Sequence, residues 1–250
     1  MGDSRVGRAL SRLAVGTLAA VALGATPAAA QWGTTWVGVA ETGGDDVTLL
    51  LGSGSMSPEG LGLKPIVGLQ ALFLMFDVAD ESESTWSVTP SAGLIMRAPT
   101  GAVQARLGYT FSEESDFPIL GPDGGDDPGL STSAQADYWD NGAFGLQGIA
   151  SFNWGSEYLW SRARGTVRVM ELDFGGIHVG PEFVYQGEMG EESGTDLHYS
   201  ATQIGGILLW DSGNQLIAGF GAGIKNIDED FVGPDDDEST WYVKVEFVLR

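Results

Sequence analysis

The sequence predicts an all-β protein, a transmembrane antiparallel β-barrel of about twelve strands, with ten to fourteen in reach. Three observations predict it. Runs of about eight to fourteen residues alternate apolar and polar side chains and close on Gly, Pro, Asn or Asp, the rhythm of antiparallel strands. The connections alternate between short turns and acidic, mostly longer loops. The longest apolar stretch beyond residue 30, Pro65 to Phe76, is interrupted by Gly68 and Gln70 and falls short of a membrane helix.

Composition agrees. Of 250 residues, 12 are Lys or Arg and 34 are Asp or Glu, a formal charge of -22 that makes polyanionic nucleic acid an improbable partner. The absence of Cys removes disulfides, thiolate metal sites and thiol catalysis together. Glycine, at 38 residues, is about twice as frequent as usual.

The first 30 residues read as a leader. Arg5, Arg8 and Arg12 precede an apolar stretch from Leu13 to Ala25, and Ala28-Ala29-Ala30 supplies small residues for cleavage before Gln31. A basic region, a short apolar region and an Ala-x-Ala end make a secretory signal peptide. A retained anchor would need about 20 apolar residues. Residues 31–250 are therefore expected to be exported as the barrel.

The strands then follow in order. Trp32 to Glu41 ends at acidic Glu41 to Asp46, and Val47 to Gly54 ends at the turn Ser55 to Gly60. Leu63 to Phe76 and Thr85 to Arg97 flank acidic Asp77 to Ser84; Pro99-Thr100-Gly101 turns into Ala102 to Ser112. Glu113 to Leu130 leads to Ser131 to Trp139, joined to Ala143 to Asn153 by Asp140-Asn141-Gly142, where Asn-Gly suits a type I′ hairpin. Trp154 to Glu157 leads to Tyr158 to Val169, and Leu172 to Gly175 turns into Gly176 to Gln186. Gly187 to Asp196 precedes Asp196 to Trp210. Asp211 to Asn214 turns into Gln215 to Asn226, and Ile227 to Glu238 leads to the last run, Ser239 to Arg250.

Most of the acidic residues fall in the second set of connections, so negative charge collects at one end of the array. Short turns at one end and long polar loops at the other are the pattern of an outer-membrane barrel. Three runs show the two faces plainly. Val103, Ala105, Leu107, Tyr109 and Phe111 oppose Gln104, Arg106 and Thr110; Leu159, Ala163, Val167 and Val169 oppose Arg162, Arg164 and Arg168. In the last run Trp241, Val243, Val245, Phe247 and Leu249 oppose Tyr242, Lys244, Glu246 and Arg250. Each reads as lipid outside and lumen inside. Trp32, Trp86, Trp139, Trp154, Trp160, Trp210 and Trp241 lie near run ends, where an indole suits headgroup depth; Trp36 alone is mid-run. Glycines within the runs, Gly145, Gly219, Gly221 and Gly223 among them, would relieve crowding and allow the curvature of closure. Closure itself is required, because lipid offers no partner to an open sheet edge.

Three groups could carry chemistry. His198 and Ser200 share a strand face, as in the lipid A deacylases, but Ala201 stands where that motif has Asn and no Glu follows between Ala201 and Ile227. The acid that should orient the His is missing from its expected place. A second group is the lumen set Arg106, Asp137, Arg162, Arg164, Arg168, His178, Glu182, Lys244 and Glu246. It could contact a solute, or pair internally to fill the lumen, since a buried charge requires a partner. The third is the acidic loops, Pro122 to Asp127 and Pro234 to Glu238; carboxylates suit hard cations, but neither loop has EF-hand spacing, and a solvated surface is the simpler reading. No catalytic residue, cofactor site or metal site is assigned.

One comparison is more specific. Ser131 to Asn153 (STSAQADYWDNGAFGLQGIASFN), Tyr158 to Gly165 (YLWSRARG) and His178 to Glu182 (HVGPE) resemble the outer-membrane barrel family of cellulose biosynthesis proteins named BcsS. The likeness covers roughly Gly101 to Arg250, while Gln31 to Thr100 matches in rhythm alone. It implies an accessory, non-enzymatic role in bacterial cellulose or exopolysaccharide production or secretion, and supplies no catalytic residues. The tail departs from many barrels, which end in Phe, because Phe247 precedes Val248-Leu249-Arg250.

The expectation is thus a Gram-negative outer-membrane barrel in contact with lipid and lipopolysaccharide, with cellulose-secretion components or polysaccharide as further partners. A small channel, a surface-binding barrel and a lipid A deacylase are the alternatives. Passage of a polymer through a lumen crowded with Arg and Glu is disfavoured.

Overall fold

Twelve strands follow one another in the computed structural model: β1 (Trp32–Gly43), β2 (Thr48–Pro58), β3 (Gly62–Val78), β4 (Glu81–Ala98), β5 (Gly101–Ser112) and β6 (Gly129–Asp140). Then come β7 (Phe144–Asn153), β8 (Tyr158–Leu172), β9 (Gly175–Glu188), β10 (Tyr199–Asp211), β11 (Leu216–Glu229) and β12 (Glu238–Leu249). The structure describes residues 32–44, 48–78, 81–112, 129–140, 142–189, 199–213, 215–229 and 238–250. The leader, His198, Asn141 and nearly all of both acidic loops lie outside the described residues.

Each strand pairs antiparallel with its sequence neighbours, and β12 pairs with β1 to close the sheet. The closing seam is in register from Trp36 opposite Leu249 to Gly43 opposite Tyr242. No edge is left to pair with another chain. The shortest strand, β7, has 10 residues and the longest, β4, has 18. All reach the nine to eleven residues or so that a tilted strand needs to cross hydrocarbon.

Alternation sorts side chains to the two surfaces on every strand. The outer surface is apolar and uncovered: Leu63, Leu94, Val103, Leu107, Phe111, Phe220 and Val245 are each more than half exposed. The buried groups lie inside, and they are mainly polar, among them Arg162, Arg164, Thr166, Glu182, Lys244 and Glu246. A protein folded around an oily core in water has the opposite arrangement.

Several boundaries differ from the sequence reading. Strands β3 and β4 continue through the expected loop Asp77 to Ser84, pairing as far as Val78 opposite Glu81. Backbone pairing extends a hairpin beyond its apolar run, because each added ladder step satisfies polar groups whatever the side chains are. Strand β2 likewise reaches Pro58, so the turn there is shorter than Ser55 to Gly60. Strand β8 passes Val169 through a register shift between Arg168 and Met170, with Val169 and Met170 both exposed. A bulge of this kind breaks the period of two.

Two tryptophans also differ. Trp86, Trp154 and Trp241 are exposed at the loop end, as expected of an interfacial girdle. Trp139 and Trp160, expected at headgroup depth, occupy inward positions. The Trp139 ring packs on the inner cluster of Ile207, Leu209 and Ile217 and meets His178 edge-on at 5.8 Å. The Arg162 guanidinium lies 5.9 Å from the centre of the Trp160 ring. Nearness to a strand tip sets a side chain's depth, whereas parity along the strand sets its side.

The glycines of β11 have a definite task. Gly219, Gly221 and Gly223 stand opposite Glu246, Lys244 and Tyr242 of β12. A Cβ at Gly219 would lie 2.7 Å from the Glu246 side chain, and one at Gly221 would lie 2.8 Å from that of Lys244. Removing three side chains from one strand lets three large polar ones from the next lie across it. Gly145 similarly makes room for Trp139, whose ring would be 2.5 Å from an added Cβ.

Candidate functional site

All nine residues singled out in the lumen set point inward, and the structure joins most of them into one network. Glu246 of β12 is its hub. Across the lumen, Arg162 of β8 donates to its Oε2 at 3.0 Å and Arg164 donates to its Oε1. These three side chains are nearly inaccessible to solvent. Strands β8 and β12 are four places apart in the barrel, so this contact is a chord through the interior. Two shorter chords accompany it: Lys244 of β12 pairs with Glu182 of β9, and Gln203 of β10 donates to Glu41 of β1 at 2.5 Å. The Glu246 and Lys244 chords cross the strip of β11 that carries Gly219, Gly221 and Gly223.

From Arg162 the network continues along the wall. Arg162 donates to Gln147 at 2.7 Å, Gln147 to Asp137 at 2.6 Å, and Gln135 to the other Asp137 oxygen at 2.7 Å. Gln104 then donates to Gln135 at 2.6 Å, and Arg106 donates to Gln104 at 2.9 Å. An unbroken chain of hydrogen bonds thus links β12, β8, β7, β6 and β5. The glutamines were not singled out in the sequence. Their signal was available in the alternation, since Gln104, Gln135 and Gln147 share faces with Arg106, Asp137 and Ser151, but amides carry no charge and draw less notice.

Electrostatics explain the chords. An ion taken out of water loses several kcal/mol of hydration, so a buried carboxylate is stable when charge and hydrogen bonds replace that water. Glu246 has two guanidiniums and Glu182 one ammonium. Asp137 has two amide donors, and Glu41 has one. Three buried oxygens, Tyr242 Oη, Glu182 Oε2 and Gln203 Oε1, have no protein partner among the described residues. They lie around the Lys244–Glu182 chord and are shielded from solvent.

The remaining two members lie near the turn end. Arg168 pairs with Glu171 at 3.2 Å on the rim, and His178 is buried with its Nδ1 unpartnered among the described residues. Both line a cavity of about 750 Å³ among the β6–β7, β8–β9 and β10–β11 turns. Behind it lies the inner cluster of Ile207, Leu209, Ile217 and Trp139.

The interior is therefore unequal. Between β8 and β12 the inward side chains are buried, and chords and the apolar cluster occupy the space. Along β2 to β7 the inward side chains are more mixed: Ile66, Leu74, Thr85, Ile95, Thr110 and Ser131 are buried, and others are reached by solvent. Ser53, Gly68, Thr89, Ser91, Gln104 and Gln147 are all partly accessible, and Gln70 is exposed although it faces inward. The partly accessible polar positions thus concentrate on this wall.

Ser200 has the outward parity of Thr202 and Ile204, opposite buried Ala201 and Gln203, and His198 lies outside the described residues. No group of three or more His, Cys, Asp or Glu side chains that could hold a metal occurs among the described residues.

No protein-family model matches the chain, and no curated protein matches it. Several solved structures do. A bacterial polysaccharide outer membrane secretin shares 11% identity, with a TM-score of 0.36 over 86% of this chain and 98% of that one. The outer membrane protein OpdK from Pseudomonas aeruginosa shares 10%, with a TM-score of 0.31 over 87% of this chain and 98% of its own. OpdK with vanillate shares 9%, at the same TM-score and coverage. The likeness is one of outline, and at these values it extends to no residue or ligand.

Proposed function

We propose that this chain crosses the outer membrane as a twelve-stranded barrel, exported by its leader, and that its half-filled lumen is a narrow aqueous passage for small solutes. The observation that carries the reading is the inversion of surfaces. A continuous apolar exterior surrounds a polar interior, one wall of which carries the partly accessible positions. Exposed apolar area of this extent is unfavourable in water by roughly 25 cal/mol per Å², and hydrocarbon removes that cost. The chords narrow the bore, so a folded polymer or protein is too large for it. The reading assigns no catalytic residue and needs no cofactor.

Purified protein is expected to require detergent, to run at different gel positions before and after boiling, and to conduct ions in planar bilayers. A chain that stays dissolved without detergent would defeat the membrane placement. Silent bilayers would defeat the passage alone.

A second reading has its own support. The residues that resemble the cellulose-associated barrels, Ser131 to Glu182, form β6 to β9 and carry Asp137, Gln147, Arg162 and Glu182 of the network. An accessory role in cellulose production follows if that network serves the same end. Deletion of the gene is then expected to reduce cellulose staining of colonies, and normal staining would count against the role.

A further inference from the structure

We propose that the open sector of the lumen selects small anions and that Arg106 determines this preference. The proposal rests on the reading of the lumen as a passage and names the class of solute it favours.

The first observation is the distribution of positive charge. Apart from the chain-terminal Arg250, every basic residue after position 31 has inward parity: Lys64 and Arg97 on the β3–β4 hairpin, Arg106 on β5, Arg162, Arg164 and Arg168 on β8, Lys225 on β11 and Lys244 on β12. A chain with 12 Lys and Arg residues and a formal charge of -22 thus places eight of them on one internal surface. Carboxylates at positions of the same parity are Glu41, Asp137, Glu182, Asp211 and Glu246, together with Glu81, Glu83, Glu188, Glu229 and Glu238 at the loop-end tips of their strands, so the cations lead only below those tips.

The second observation is where charge is balanced and where it is not. In the filled sector Glu246 faces Arg162 and Arg164, and Glu182 faces Lys244. On the open wall the Asp137 carboxylate is held by Gln135 and Gln147, and the cations bind neutral groups. Arg97 donates to the Pro58 carbonyl at 2.8 Å and to the Ser57 hydroxyl, both neutral acceptors. Arg106 donates to the neutral Gln104 amide. Among the described residues, none of Lys64, Arg97 and Arg106 makes an ion pair.

The third is the reach of Arg106. Its guanidinium extends over β4 toward β3, where a Cβ at Gly68 would lie 2.5 Å from its Nη1. Ser91, which donates to the Gly68 carbonyl at 3.4 Å, lies beside it, and Gln70, Thr89 and Thr110 continue the wall toward the loop end. A cation held mid-lumen by neutral groups, among hydroxyls and amides that can replace lost hydration, is what anion passage requires. Charges lining a narrow bore act in a lower dielectric than charges on loops in water, and they are screened less. The acidic loops repel anions at the outer mouth only at low salt, because the Debye length falls to about 3 Å at 1 M.

The test is the zero-current voltage of protein reconstituted in planar bilayers between unequal KCl solutions near 1 M, a concentration at which the loop field is screened within about 3 Å. The wild type is expected to settle toward the chloride potential. Arg106→Gln is expected to lower the chloride-to-potassium permeability ratio severalfold, and Arg106→Glu to reverse the sign. Ser91→Glu, which leaves Arg106 in place but sets a carboxylate beside it, is expected to weaken the preference in an otherwise intact wall. Retained gel heat-modifiability shows that each variant is folded. Conductance with no preference, or with preference for potassium, overturns the proposal and leaves the passage standing. Anion preference unchanged in both folded Arg106→Gln and Ser91→Glu removes Arg106 from the role. Silent bilayers overturn proposal and passage together.

Discussion

Glu246→Gln is expected to lower the stability of the folded barrel by about 3–5 kcal/mol, the cost typical of breaking a buried ion pair from one side. The glutamine keeps the shape of the side chain and removes its charge, leaving Arg162 and Arg164 close together without a counter-ion. Both are 7% exposed, so water cannot readily take over. The measurement is urea unfolding in detergent or bilayers, followed by the temperature at which the gel band shifts. Replacing Glu246, Arg162 and Arg164 together by Met is expected to recover most of the loss, because no charge is then stranded. A shift below about 1 kcal/mol for Glu246→Gln would mean that solvent reaches the chord and that the sector between β8 and β12 is not filled as described.

Leu107→Arg has the second large effect. Leu107 stands in the middle of β5, opposite Ala92 and Thr132, with 60% of its surface exposed. In water an arginine there would change stability by about 0.5 kcal/mol or less. In hydrocarbon it costs about 2–4 kcal/mol at the midplane, falling to about 0–1 near the interfaces. Phe174→Arg, in the β8–β9 turn at 64% exposure, is the matched control and is expected to cost little. The fraction folded into vesicles at rising urea reads both. Equal tolerance of the two substitutions would remove hydrocarbon from around β5.

Much of this architecture is legible in the chain. The Val103-to-Phe111 alternation places Arg106 inside without reference to any other strand, and the same holds for Arg162 and Arg164 in β8 and for Lys244 and Glu246 in β12. Periodicity is local, and a period of two is enough to assign a face. Trp139 shows where that information runs out. Its place at the end of a run suggested the headgroup girdle, but its odd parity, shared with Asp137 and Gln135, turns it inward onto Ile207 and Leu209. The Val169 bulge is a similar case, since a register shift depends on the partner strand.

Strand rhythm, the two faces, the acidic end and the identity of the inward charged residues are all set within a few consecutive residues. Which of those charges meet is a property of the closed sheet. Glu246 lies more than eighty residues from Arg162 and Arg164. Their contact depends on closure, on the count of strands between β8 and β12, and on the glycines that lower β11 beneath the chord. Pairing across a lumen is fixed by the curvature and register of the whole sheet, and no local pattern carries that information.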